Sequence, residues 1–95
     1  MWPEAEEAHR NLGAILLARG KTAEAETEFL WVVNCRPDSI ENLAELGSCF
    51  AAEGKNEKAI TIYRAALALG PNPAIKQALN KALLNRNQKQ LSVNN

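Results

Sequence analysis

One histidine and two cysteines in 95 residues leave little material for catalytic or metal chemistry. Two cysteines are too few for a disulfide framework, and Cys35 and Cys49 lack the spacing of paired zinc ligands, so a reducing compartment is the default. A lone imidazole, His9, offers no metal cluster, and general acid or base work would need a carboxylate held beside it in a pocket. Long apolar runs are also missing: residues 14–18 and 65–69 fall far below the roughly 20 residues of a membrane span. The start, Met1-Trp2-Pro3-Glu4, is followed by further acids and has no basic region leading into an apolar run, so no signal peptide is visible. A cytoplasmic protein is the simplest expectation, with no cofactor, no metal, no small-molecule substrate and no membrane partner.

Aromatic residues make up only 5% of the chain, and four prolines and five glycines interrupt it. With Ala and Leu abundant, this composition favours an all-α class over a sheet protein. The formal net charge is zero but unevenly spread. Residues 1–34 hold Arg10, Arg19 and Lys21 against Glu4, Glu6, Glu7, Glu24, Glu26 and Glu28, whereas residues 72–95 hold Lys76, Lys81, Arg86 and Lys89 with no acid.

Internal repetition decides the architecture. Shifting the chain by 34 residues pairs Pro3 with Pro37, Glu7 with Glu41, Leu12 with Leu46, Gly13 with Gly47, and Ala18 with Ala52. Gly20 then meets Gly54, Lys21 meets Lys55, Ala25 meets Ala59, Thr27 meets Thr61, and Pro37 meets Pro71. Within each unit the apolar and small residues Ala8, Leu12, Ile15 and Leu16, and again Leu43, Leu46, Cys49 and Phe50, recur at three- and four-residue steps.

Each unit is expected to hold two helices. Gly20 and Gly54 end the first, because a residue without Cβ takes the left-handed conformation that releases the chain. Thr22 and Asn56 sit where an N-cap is needed for the second. Pro37 and Pro71 close it, and Asp38 with Glu41 has capping-box spacing for the restart. Asn72 caps a last helix that carries Pro73 at its first position. The expected helices are 4–19, 22–35, 39–53, 56–69 and 73–87, followed by a polar tail, residues 88–95, expected to be disordered.

The chain resembles the tetratricopeptide repeat family, whose signature runs from a bulky residue through Leu-Gly, an aromatic and Ala-x-x-x-Phe to a closing Pro. The second unit reads Leu43, Leu46-Gly47, Phe50, Ala59, Tyr63 and Pro71; the first reads His9, Leu12-Gly13, Leu16, Ala25, Phe29 and Pro37. His9 and Leu43 stand in place of the usual tryptophan, and Val32 is larger than the usual alanine. The resemblance implies an all-α, right-handed stack of antiparallel helix hairpins, an α-solenoid of five helices forming one domain over residues 1–87. Repeat 1 would span about 6–39, repeat 2 about 40–72 and a capping helix about 73–87. Ile75, Leu79, Ala82 and Leu83 give that last helix one apolar face, while Lys76, Asn80 and Lys81 stay polar.

The same resemblance implies a non-catalytic scaffold or adaptor that binds a peptide or helix of another protein in a concave groove. Its groove positions fall on Glu7, Arg10, Asn11, Ala14 and Leu17 of the first helix, Glu41, Ala44, Glu45 and Ser48 of the third, and Gln77, Lys81 and Asn85 of the last. Asparagine amides there suit a peptide backbone, and Glu41 and Glu45 would select a basic or amide-rich ligand. Pairing of Arg10 and Lys81 with those carboxylates across neighbouring helices is the competing reading. The family's clamp for acidic chaperone tails uses positions that here read Arg10, Ala14, Glu45, Ala74 and Ala78, so no binding of such a tail is expected. His9 and the two cysteines fall at family packing positions, and Gly13 and Gly47 where a small residue lets helices approach.

Three further readings stay open. Trp31, with Leu30 beside it and Trp2 upstream, is either a second interface or a cover for the first helix pair. Self-assembly into a homo-oligomer, the acidic first helices docking on the basic last helix of another copy, is the main alternative function. Nucleic-acid binding through the basic last helix is disfavoured, because four charges without interleaved aromatics more often form a solvated face.

Overall fold

The computed structural model describes residues 3–94, with the side chains of residues 4–88. The described residues form five helices and no strand: α1 (Pro3–Ala18), α2 (Thr22–Cys35), α3 (Ile40–Ala52), α4 (Asn56–Leu69) and α5 (Pro73–Asn94). Each helix packs on its chain neighbours, α1 on α2, α2 on α3, α3 on α4 and α4 on α5, with a slight contact between α3 and α5. The body is a slab of 50 × 29 × 18 Å. The fold is therefore the open stack of hairpins that the repeat implies.

The core follows the helical period. Ala25, Phe29 and Val32 are buried on α2, Leu43, Leu46, Cys49 and Phe50 on α3, and Ala59, Ile60, Tyr63 and Ala66 on α4. Ile75 and Ala82 bring α5 onto this core, Leu79 and Leu83 pack at its margin, and Lys76, Asn80 and Lys81 remain exposed. Gly13 and Gly47 let the paired helices close up. A Cβ on Gly47 would lie 2.5 Å from the Tyr63 ring, and one on Gly13 would lie 2.8 Å from that of Phe29.

The turns within the hairpins differ from the expected capping. Gly20 and Gly54 do take φ of +78°. Around Gly20 its amide donates to the Leu17 carbonyl at 3.0 Å and that of Lys21 to Leu16 at 2.9 Å; Gly54 to Ala51 and Lys55 to Phe50 repeat the pattern. This is the paired hydrogen bonding of a Schellman turn. The N-caps of α2 and α4 are Lys21 and Lys55, with no side-chain cap, and Thr22 and Asn56 are already helical. One residue thus finishes one helix and opens the next, which leaves no position for a capping oxygen.

Two other expectations are corrected. The cap of α3 is Ser39, whose Oγ accepts from the Asn42 amide at 3.3 Å, because Asp38 lies one residue too early, in the preceding turn. The last helix does not stop at residue 87: α5 runs to Asn94, since residues 88–94 contain neither Gly nor Pro and begin with the helix formers Gln88, Lys89, Gln90 and Leu91. Asn95 lies outside the described residues. The expected start of α5 holds, with Asn72 Oδ1 accepting from the Ile75 amide at 3.1 Å.

Candidate functional site

α1 and α3 lie side by side along one surface of the slab, and a groove of about 520 Å³ runs between them. Arg10, Asn11, Ala14, Leu17 and Ala18 line it from α1, Glu45 and Ser48 from α3, and the edge of Phe29 from α2. Six of the expected groove residues, Arg10, Asn11, Ala14, Leu17, Glu45 and Ser48, are brought together here. Glu7 and Glu41 are exposed just beyond the lining, and Ala44 is half-buried on α3. Gln77, Lys81 and Asn85 are exposed on α5 and are not part of this groove.

Two lining residues, Ala18 and Phe29, were not anticipated. Phe29 reaches the groove floor because Gly13 has no side chain above its ring. The pairing of Phe29 with Tyr63 under the repeat shift, each matched to a helix glycine, was the available signal.

Glu45 is the electrostatic centre of the groove. Burial pushes its carboxyl above the usual range, Arg10 opposes that shift, and Glu41 adds to it. Arg10 stops short of a salt bridge: among the described residues neither Glu45 nor Glu41 has an ion pair. The competing expectation of Arg10 and Lys81 pairing with these carboxylates is therefore not met. The groove combines an apolar floor of Ala14, Leu17, Ala18 and Phe29 with a polar rim and one partly desolvated, unpaired acid.

The rim is held rigid by contacts the sequence did not disclose. Glu6 accepts from the Asn42 amide group at 3.2 Å and from Arg36 Nε at 3.1 Å, tying α1 to α3 and to the loop before α3. Lys55 bridges Glu26 of α2 at 3.0 Å and Glu53 at 3.1 Å, joining the two hairpins on the other side. Asn42 is 2% exposed, so its bond to Glu6 sits out of competition with water.

The remaining candidates lie outside the groove lining. His9 is half-buried, not sunk in the stack: its ring stacks on Trp31 with centroids 3.9 Å apart, and Nδ1 bonds Glu28 Oε1 at 2.8 Å. Trp31 is thereby engaged within the first hairpin, Leu30 stays exposed beside it, and Trp2 lies outside the described residues. Cys49 is fully buried, and its thiol donates to the Thr22 carbonyl at 3.3 Å. Burial, helped by Glu53 and Glu26, pushes this thiol up to about 11, so it is not a nucleophile at neutral pH. Cys35 is a half-buried free thiol. Among the described residues no group of His, Cys, Asp and Glu is gathered as a metal site, and no helix is long and apolar enough to cross a membrane.

A stack of antiparallel hairpins joined by Schellman turns, with a groove along its first helices, defines an α-solenoid of short helical repeats. Residues 1–40 match the family model described as Tetratricopeptide repeat, and α3 and α4 repeat that hairpin in phase. That match supports assigning the first hairpin to the tetratricopeptide repeat family. Such repeats generally mediate protein–protein interaction and are typically non-catalytic. No curated protein matches this chain.

Proposed function

We propose that this chain is an interaction scaffold that holds a peptide or helix of a partner protein in the α1–α3 groove, and that the partner presents a basic side chain to Glu45. The observation that carries this reading is the half-buried Glu45 carboxylate with no ion pair among the described residues, set above an apolar floor. A folded protein gains nothing from an unpaired, desolvated acid at this position, whereas a cationic ligand supplies the missing charge. The volume of the groove admits only a few side chains of a partner, which suits an extended segment or one helix face. Asn11 and Ser48 on the rim offer donors and acceptors to its backbone.

The test separates binding from folding. Glu45→Gln removes the charge without changing the shape, so thermal stability at neutral pH should hold or rise, because a desolvated carboxylate is no longer kept ionised. Titration calorimetry against a peptide array should show Lys- or Arg-containing ligands losing about tenfold or more in affinity with this variant. The pH dependence has a definite sign. A bound cation favours the ionised carboxylate, so affinity should rise as pH rises through the elevated Glu45 pKa and level off above it. Equal affinity of Glu45→Gln for basic peptides, or micromolar binding of an acidic tail peptide, contradicts the assignment.

A further inference from the structure

The side of α1 turned away from the stack carries two exposed large apolar side chains close together among the described residues. Leu12 is 45% and Ile15 50% exposed, yet the repeat places them at the positions of Leu46 and Cys49, which are 1% and 0% exposed. In the second hairpin the preceding α2 covers those positions, as the bond from the Cys49 thiol to the Thr22 carbonyl shows. On α1 no described element takes that place. An open apolar stripe at helical spacing on the first helix of a stack is a surface shaped for another helix.

The rest of the stripe specifies which helix. Glu4, Ala8, Leu12, Ile15 and Arg19 follow one another at steps of four, four, three and four along one side of α1 and its last turn, and all five are exposed. Glu6, Arg10 and Leu17, which face α3 and the groove, occupy the opposite side. The stripe is acidic at its start, apolar in the middle and basic at its end. Laid antiparallel on a copy of itself about an axis between residues 11 and 12, it brings Glu4 to Arg19 of the second copy at both ends. The small Ala8 then falls opposite the large Ile15, and the two Leu12 side chains meet near the axis. Opposed helix dipoles add to this arrangement.

We propose that α1 is a two-fold interface through which two copies of this chain pair, first helix against first helix, antiparallel. The contact is self-complementary, as a two-fold interface requires. Docking of α5 from another copy fits less well. Residues 72–95 contain no acid to answer Arg19, so the bases of α5 would crowd that end of α1. Asn11 and Ala18 of the groove border the stripe, while Arg10, Ala14 and Leu17 lie farther round α1, so pairing approaches the groove only along its α1 edge. A single helix crossing buries an area near the low end of specific interfaces, so the dimer is reversible and depends on concentration.

Sedimentation velocity of the full chain over a wide concentration range tests the proposal. The wild type should show a monomer–dimer equilibrium that weakens with added salt. Arg19→Glu sets like charges against each other at both ends and should weaken the dimer roughly tenfold, whereas Glu4→Arg combined with Arg19→Glu should restore it. Both positions are exposed, so helicity by circular dichroism should not change. A wild type that stays monomeric throughout overturns the proposal, as does a double variant that associates no better than Arg19→Glu. A dimer that loosens with Lys81→Glu but not with Arg19→Glu would instead assign the contact to α5.

Discussion

Four of the glycines do two different jobs, and substitution by alanine should tell them apart. Gly47 is buried in α3 against Tyr63, which is itself only 3% exposed and has nowhere to go. Gly47→Ala is expected to cost about 2 kcal/mol, after allowing for the better helix propensity of alanine. Gly54 has open space around its Cα but a φ of +78°, so Gly54→Ala meets only backbone strain and should cost about 1 kcal/mol. Urea unfolding of the two variants checks the order. A Gly47→Ala protein as stable as the wild type would mean that α3 and α4 are not packed as closely as described. These roles were legible in the sequence because Gly13 and Gly47, and Gly20 and Gly54, recur at the repeat period with different neighbours. The caps were misread for a local reason: Thr22, Asn56 and Asp38 are good capping residues, but each stands one place away from the position that the turn geometry makes available.

At the scale of elements, the joint between hairpins rests on charge as well as on packing. Contacts with Glu53 and Lys55 hold the Glu26 carboxyl below the usual range, and Glu26 and Glu53 hold the Lys55 ammonium above its own. A depressed carboxylate contributes stability above its unfolded pKa and loses it as pH falls through the folded value. A raised ammonium contributes below its unfolded pKa and loses it as pH rises through the folded value. The joint is therefore strongest between the acidic and the lysine ranges. The stability deficit of Glu26→Gln relative to wild type should be present at neutral pH and fade as pH falls through the lowered Glu26 pKa. A deficit independent of pH would assign Glu26 a packing role only. Helix spans were legible from Gly and Pro punctuation, but this joint was not: Glu26 and Lys55 lie 29 residues apart, and no local pattern marks them as partners. The end of α5 is not legible for the opposite reason: a polar composition suggests a stop where no helix breaker stands.

Across the whole molecule, stability is passed along a line. A radius of gyration of 13.7 Å exceeds the roughly 12 Å of a compact domain of this length, as expected when each helix touches mainly its neighbours in the stack. Damage at one end should then stay near that end. Ile75, 4% exposed on α5, anchors the last helix to α4, and Ile75→Ala is expected to cost about 3 kcal/mol. Hydrogen exchange should accelerate in α4 and α5 well before α1 and α2. Uniform acceleration along the chain would indicate a single cooperative core. The family resemblance pointed to six residues that line one cavity between α1 and α3, but not to the charge state of Glu45, which depends on burial that only the assembled helices create.

The residue that is both the last of one helical turn and the first step of the next, Lys21 or Lys55, has a consequence for how this molecule can change in size. With no slack in the turn, an inserted residue must either break the paired hydrogen bonds of the turn or shift the register of the following helix, whose buried side turns by about 100° per residue. Growth or loss by small increments is closed to such a chain. Whole hairpins can be added or removed, because each brings its own glycine, lysine and proline, so the protein lengthens in fixed units, as a ladder does by rungs.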